Sequence, residues 1–332
     1  MASTPAPFRP FPSWSAARAQ LQERSVLSCF GFAVFVLAAF LAVSPARSDE
    51  ITPSHVFQLA SGVNQELLAL LAADIQVPKN DPNEAPLTPR QPRHVYQMAR
   101  TVFFKIQKLR FLNNLELAAL PIPPTRDIEP KDVYSLVALC LSSLHDLRPA
   151  YGISAPLTEP GFVGGKTPTD VYGELRRASL ALNSLGIPEI APNDVMRVAL
   201  TIVSDLQLLL RERGISDVFP IAPRSQDKAP EDVYRMGHRV LLRLKELADL
   251  KPDLSPPGGI VLPNDRKGTI VPGHVEERLN DVLAEVMSIK ARMQIDEPTR
   301  MTRQQAGKTP SDVFGAVAAA EAMVARLLPW PM

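Results

Sequence analysis

The chain has 332 residues, 36 basic and 35 acidic side chains, 33 prolines, two cysteines and 45% apolar residues. A balance this close to neutral excludes a nucleic-acid binder that works by phosphate neutralisation, which needs a surplus of Lys and Arg. No Cys-x-x-Cys occurs, which excludes zinc ribbons, dithiol redox sites and attached c-type haem.

The first element is a targeting segment. Residues 26–43 are apolar except for Ser28, with Arg9, Arg18 and Arg24 before them and Ser44, Pro45 and Ala46 after. The order basic, apolar, small predicts a signal peptide over residues 1–46, cleaved after Ala46. The alternative is an uncleaved anchor, since about 18 residues at about 1.5 Å each just span a thinned bilayer. Both readings make the remainder periplasmic or secreted, touching the membrane only through this segment. Cys29 is not a lipoprotein cysteine, because the apolar run follows it. Cleavage would leave Cys140 without an internal disulfide partner.

Beyond residue 46 the sequence writes one helix eight times. The motif is Pro, any residue, Asp or His, then Val. Its copies are Pro53-Ser54-His55-Val56, Pro92-Arg93-His94-Val95, Pro130-Lys131-Asp132-Val133 and Pro168-Thr169-Asp170-Val171. Four more follow: Pro192-Asn193-Asp194-Val195, Pro230-Glu231-Asp232-Val233, Pro272-Gly273-His274-Val275 and Pro310-Ser311-Asp312-Val313. Proline suits the first helical position, where its missing N–H is not needed, and a carboxylate or imidazole two further on can reach back to the cap. Each motif therefore starts a helix.

The residues after each Val predict how the helices pack. Counting that Val as zero, positions +4, +7, +11 and +14 are Ala60, Val63, Leu67 and Leu70 in the first copy and Ala199, Ile202, Leu206 and Leu209 in the fifth. The remaining copies keep the pattern, with Gly237 as the weak position. Alternating steps of four and three give the 3.5-residue seam of knobs-into-holes packing. Cys140 sits on the seam, which predicts a small core hydrophobe rather than a reactive thiol. Leu206→Asp is expected to be far worse than Asp205→Ala, because only the first buries a charge in the seam.

The motif valines are spaced 39, 38, 38, 24, 38, 42 and 38 residues apart. Regular steps join the first to the second, third to fourth, fifth to sixth and seventh to eighth copies, so the unit is a pair. Two residues before the proline stands Ile in the odd copies (Ile51, Ile128, Ile190, Ile270) and a basic residue in the even ones (Arg90, Lys166, Lys228, Lys308). This predicts a packed approach to odd helices and a solvated approach to even ones. The second copy resembles the sixth and the fourth the eighth, as in Gly165-Lys166-Thr167-Pro168 and Gly307-Lys308-Thr309-Pro310.

A tandem duplication of a four-helix unit follows, over residues 47–188 and 189–332. The predicted fold is all-α, two tandem four-helix bundles, with an open helical-hairpin solenoid as the alternative. Linker length leaves the helix direction across residues 72–91 open. Residues 186–191 are too few to run back along the fourth helix, so the fifth starts near the fourth's end.

The candidate chemistry is sparse. The helix-start residues His55, His94, Asp132, Asp170, Asp194, Asp232, His274 and Asp312 would be plausible transition-metal ligands if four helix starts met. Antiparallel neighbours would hold the starts about 30 Å apart, so these residues are expected to be caps, with no metal and no cofactor. The flanking aromatics Phe57, Tyr96, Tyr134, Tyr172, Tyr234 and Phe314 are expected to cover the seam while their hydroxyls reach water. Lys166-Thr167 and Lys308-Thr309 fail as phosphate loops for want of the earlier glycine, and Ser154 lacks the second glycine of a nucleophile elbow. Trp330 is expected in a loose C-terminal end or a patch over the last helix, with a docking tail for a partner as the alternative.

No acid, base and nucleophile set can be assembled, so no catalytic residue is assigned. The expected function is a non-enzymatic extracytoplasmic scaffold or partner-binding protein, its partner another envelope protein. The alternative is a small-molecule or metal-sensing helical bundle.

Overall fold

The computed structural model describes residues 50–77, 86–156, 159–221 and 226–328. The targeting segment with Cys29, and the tail that holds Trp330, lie outside the described residues. The described chain is all-α. Its helices are α1 (Pro53–Ala73), α2 (Pro92–Leu112), α3 (Pro130–His145), α4 (Pro168–Leu182), α5 (Pro192–Glu212), α6 (Pro230–Leu250), α7 (Pro272–Arg292) and α8 (Pro310–Leu327), with single 3-10 turns at Arg148–Tyr151 and Pro252–Leu254. Every α-helix begins at a motif proline.

The seam residues form the core. Ala60, Val63, Leu67, Leu70, Ala199, Ile202, Leu206 and Leu209 are all buried, as are their equivalents in the other helices. Two hydrophobic clusters result, one drawn from α1–α4 and one from α5–α8. Cys140 is buried in the first, and burial pushes its thiol pKa well up, as expected of an inert packing residue. Gly237 marks a close approach: a Cβ there would lie 3.1 Å from Arg278 Cγ and 3.2 Å from Leu279 Cδ2 of α7. α1 is long and apolar enough to cross a membrane, yet its Val56, Val63, Leu67 and Leu70 are core residues.

The two members of each consecutive pair, α1 with α2, α3 with α4, α5 with α6 and α7 with α8, are not each other's main packing partners. α1 packs on α3 and α4, and α2 packs on the same two; α5 packs on α7 and α8, and α6 on the same two. The pairing of consecutive helices suggested by the spacing is thus a period in the chain rather than a hairpin.

Direction is the second departure from expectation, because the four helices of each set run the same way. Pro53, Val56, Pro92, Val95, Pro130, Val133, Pro168 and Val171 enclose one small apolar pit, and the equivalent residues of α5–α8 enclose another. Farther along, residues at similar levels meet: Lys105 of α2 donates to Ser179 of α4 and to Asn183 after α4. Arg110 of α2 likewise reaches Asp146, which follows α3.

Long linkers make this possible. Even the 17 residues from 113 to 129 extend to about 56 Å at about 3.3 Å each, ample to return past a helix of about 30 Å. The short α4–α5 connection opens with a turn, so α5 starts beside the ends of α2 and α4, where Lys108 Nζ lies 3.4 Å from Asp194 Oδ2.

The two sets meet mainly through α2 and α7, which run antiparallel. His94 near the start of α2 touches Glu285, and Thr101 farther along meets Asn280.

Asp205 overturns the expectation that it tolerates alanine. It is buried against α7, where Lys290 Nζ donates to its Oδ1 at 2.7 Å and to Thr299 Oγ1 at 2.9 Å. Removing one partner leaves a buried ammonium uncompensated. Asp205→Ala is expected to cost about 3–5 kcal/mol, comparable to Leu206→Asp; a denaturant midpoint close to wild type would show that this pair does not stabilise the core.

Candidate functional site

The eight helix-start residues share one geometry. In each, the side chain two residues after the proline accepts the backbone N–H of the cap residue, at distances from 2.7 to 3.4 Å. The acceptors are His55, His94 and His274 through Nδ1, and Asp132, Asp170, Asp194, Asp232 and Asp312 through a carboxylate oxygen. The reciprocal bond forms where the cap is Thr167 or Thr309, whose hydroxyls accept the amides of Asp170 and Asp312. Ala191, Ala229 and Val271 have no side-chain acceptor, so only the return half exists there. Hydrogen bonding to Thr167 and Thr309 holds Asp170 and Asp312 below the usual carboxylate range.

The condition for a metal site, four starts meeting at one end, is therefore met, but the ligand geometry is not. Proline and valine occupy the meeting point, and each acid or imidazole turns back onto its own cap. No group of three or more His, Cys, Asp and Glu among the described residues is placed to hold an ion.

The basic residues before the even helices are not solvated as expected. Arg90 is buried, with its guanidinium 4.4 Å from the Tyr172 ring centroid. Lys166 lies 4.3 Å from the Phe57 ring and Lys228 4.8 Å from that of Phe314. Among the described residues Lys308 has no such ring contact; α5, which packs on α8, carries Met196 in place of the aromatic. The amides of all four also bond the neighbouring helix: Arg90 to Thr169, Lys166 to Ser54, Lys228 to Ser311 and Lys308 to Asn193. Each basic residue thus fastens its own helix start to the next.

The aromatics likewise depart from expectation. Phe57, Tyr134 and Phe314 are half-buried, but Tyr96, Tyr172 and Tyr234 are buried. Two of the hydroxyls engage charges instead of water: Tyr172 donates to Glu277 at 2.9 Å, and Tyr234 accepts from Arg278.

These rings lead into a buried, densely charged region, the α2–α7 contact. Arg90 Nη1 donates to Asp281 at 2.7 Å and Arg93 Nε to Glu285 at 3.0 Å, with all four side chains almost wholly buried. His94 accepts its cap amide at Nδ1, which fixes the proton on Nε2, 2.9 Å from Glu285 Oε1. Arg93 also donates to the carbonyls of Pro257 and Gly259, tying the α6–α7 linker to α2. Gly258 between them has φ +76°, and a Cβ there would lie 2.5 Å from Gln91 Nε2. Burial works against ionisation of Glu285, but the His94 bond, the Arg93 charge and the Val261 amide hold its pKa below the usual range.

Glu277 is held harder. Burial opposes its charge, yet Arg176, Arg266 and Arg90 outweigh it and bring the pKa down to about 2.

Beside this network lies a cleft of about 270 Å³ between α2, α4 and the start of α7, lined in part by Lys105, Arg176, Glu276 and Glu277. Lys105 is buried and gives its protons to Ser179 O, Ser179 Oγ and Asn183 Oδ1 at 2.8–2.9 Å; burial lowers its pKa to about 8. Glu276 is 7% exposed and forms no hydrogen bond or ion pair with another described residue. Burial raises its pKa, partly offset by Lys105.

The sequence singled out Arg90, His94, Tyr172 and Tyr234 for other roles, and did not single out Arg93, Glu277, Asp281 and Glu285, with which the network is completed. A signal existed: Arg93, Gln97 and Arg100 recur at helical spacing along α2, and Glu277, Asp281 and Glu285 along α7. Compared with known proteins, the chain matches no family model, no curated protein and no solved structure.

Two measurements check this account. Asp170→Ala is expected to cost on the order of 1 kcal/mol, as the loss of a cap does, with metal content unchanged; metal released by the substitution would revive the ligand assignment. For Glu277 the folded pKa lies below its ordinary value of 4.5, so its contribution is present above that pH and lost as the pH falls toward about 2. The stability gap between wild type and Glu277→Gln is expected to be constant above pH 4.5 and to close between there and about 2; a gap independent of pH would remove the carboxylate's charge from the account.

Proposed function

We propose that the chain is an exported, non-enzymatic helical repeat protein that acts as a scaffold or partner-binding protein of the cell envelope. In this reading residues 1–46 direct export or anchor the chain. Residues 47–188 and 189–332 arose by tandem duplication and form two four-helix bundles joined side by side.

The observation that carries the proposal is the commitment of the ionisable groups. Arg90, Arg93, His94, Asp281, Glu285, Asp205 and Lys290 are buried in pairs that hold helices to one another, and the helix-start acids and imidazoles hold caps. Such groups are occupied in capping helices and in fixing helices to one another within and between the two sets, which suits a rigid body that presents surfaces to a macromolecular partner. A second reading, a small-molecule sensor, draws support from one observation, the cleft beside Glu276.

In-cell cross-linking of the tagged full chain followed by fractionation tests the proposal. The expected result is an extracytoplasmic or membrane-associated chain linked reproducibly to one partner protein, with the link lost in Glu285→Ala, which loosens the α2–α7 contact. A cytosolic chain that retains residues 1–46, or an exported chain that cross-links to nothing reproducible, would overturn it.

A further inference from the structure

The end of the first helical set, where its helices stop, is built differently from the same end of the second. Just past α1, Ile75 takes a left-handed backbone conformation, φ +54°, and is 91% exposed. Val77 follows it in the open, and Phe111, 69% exposed, and Leu112 close α2. The two helix ends are neighbours: the Tyr151 hydroxyl bonds Asn113, the cap of α2, and feels the charge of Asp74, the cap of α1. Exposed Leu117 lies just beyond, where Arg110 holds the linker through the Glu116 carbonyl. Exposed Leu68 lies two turns before Ile75 on the outer face of α1.

The second set supplies an internal control. Counted from the motif valine, Leu68, Ile75, Val77 and Phe111 correspond to Gln207, Gly214, Ser216 and Asp249, which are also exposed. Leu112 corresponds to Leu250. Both α1 and α5 end in the same turn, with the Gln76 N–H donating to Leu71 O and the Ile215 N–H to Leu210 O. In α5 the left-handed position is Gly214, which takes it without cost, and Ile215 beside it packs on the core. After α1 the order is reversed: a β-branched residue takes the strained position and faces water, and polar Gln76 follows. The turn itself does not require an exposed isoleucine.

Charge indicates what fits this end. α1 and α4 have no basic residue in their last turns, and the basic groups nearby are already engaged: Arg110 by Asp146, His145 and Arg148 by Glu66, Lys108 by Asp194. Asp74 and Glu116 are exposed and have no ion pair among the described residues. With the negative ends of the helices they give an apolar centre an acidic margin.

We infer that this end receives a basic amphipathic helix of a partner protein, its apolar stripe on Ile75, Val77, Phe111 and Leu112 and its flanking Lys or Arg side chains toward Asp74 and Glu116. Six side chains of this size, half to nine-tenths exposed, present on the order of 600 Å². That is the upper end of what a monomer leaves open and about what each side of a small specific interface buries. A second copy is disfavoured, because mating identical ends would bring their acids and negative helix termini together. An anionic membrane surface is disfavoured for the same reason. The inference rests on the partner-binding reading, but its test uses no cellular partner, so it can fail while the in-cell link survives, and the reverse.

The test is calorimetry on the purified full chain with three helical peptides of about 18 residues as probes. One has leucines on one face and lysines on the other, the second has glutamate for lysine, and the third scrambles the first. Only the one-sided Leu–Lys helix is expected to bind, and more weakly as salt rises. Ile75→Gly alone is expected to melt at or above the wild-type temperature, because glycine relieves the left-handed strain. Ile75→Gly combined with Phe111→Asp, which installs the residues of the second set, is expected to melt close to wild type and to bind about tenfold or more weakly. Leu250→Asp is expected to leave binding unchanged. Equal binding of the acidic or scrambled peptide, or undiminished binding in the double variant, would overturn the inference. So would self-association in sedimentation, or binding to phosphatidylcholine–phosphatidylserine vesicles, that the double variant abolishes.

Discussion

Four helices that start at one end and run the same way place four positive helix termini together, and everything else in the molecule is arranged around that arrangement. Antiparallel bundles cancel these dipoles between neighbours; here each terminus is answered locally. The carboxylate or imidazole at the third helical position accepts the cap amide in all eight helices, from His55 to Asp312. Proline contributes in a different way, by having no N–H to leave unsatisfied and by presenting an apolar ring to the meeting point beside the motif valine. The lead-in to each even helix then bonds the next helix through its amide, and in three of the four through a cation over a ring.

The second organising interaction is the α2–α7 contact. Buried ion pairs are weak devices for stability, because the desolvation of both partners offsets their attraction. They do fix register. Arg93 alone reaches Glu285 and two linker carbonyls, so sliding α2 against α7 would strand several charges at once. An apolar contact of the same area would tolerate such a slide far better. Because the two sets lie antiparallel here, the dipoles of α2 and α7 also oppose each other.

What the sequence revealed and what it hid follow from range. The helix starts and the seam were legible because they are local: Pro53 to Val56 sets a cap, and Val63, Leu67 and Leu70 set one apolar stripe. Direction was not legible, since a linker of 17 residues reaches either end of a helix. The fate of Asp205, Arg90 and Glu276 was not legible for a related reason. A polar residue beside the seam reads as solvent-facing unless one knows which distant helix covers that side, and in the Asp205–Lys290 and Lys108–Asp194 pairs the partner is more than 80 positions away. The tyrosine hydroxyls were misjudged in the same way, because Glu277 and Arg278 approach Tyr172 and Tyr234 from another element.

The same-way arrangement bears on how the chain reaches its native state. A bundle of hairpins assembles from neighbours that meet early, but α1 finds its principal partners in α3 and α4, so Val56 and Val133 of adjoining helices are 77 positions apart. Every stabilising seam must wait for a long loop to close, and contacts so remote in sequence slow folding even when each helix forms readily by itself. An all-helical composition would ordinarily suggest a rapid folder; this topology instead gives the molecule the kinetics of a far less local architecture.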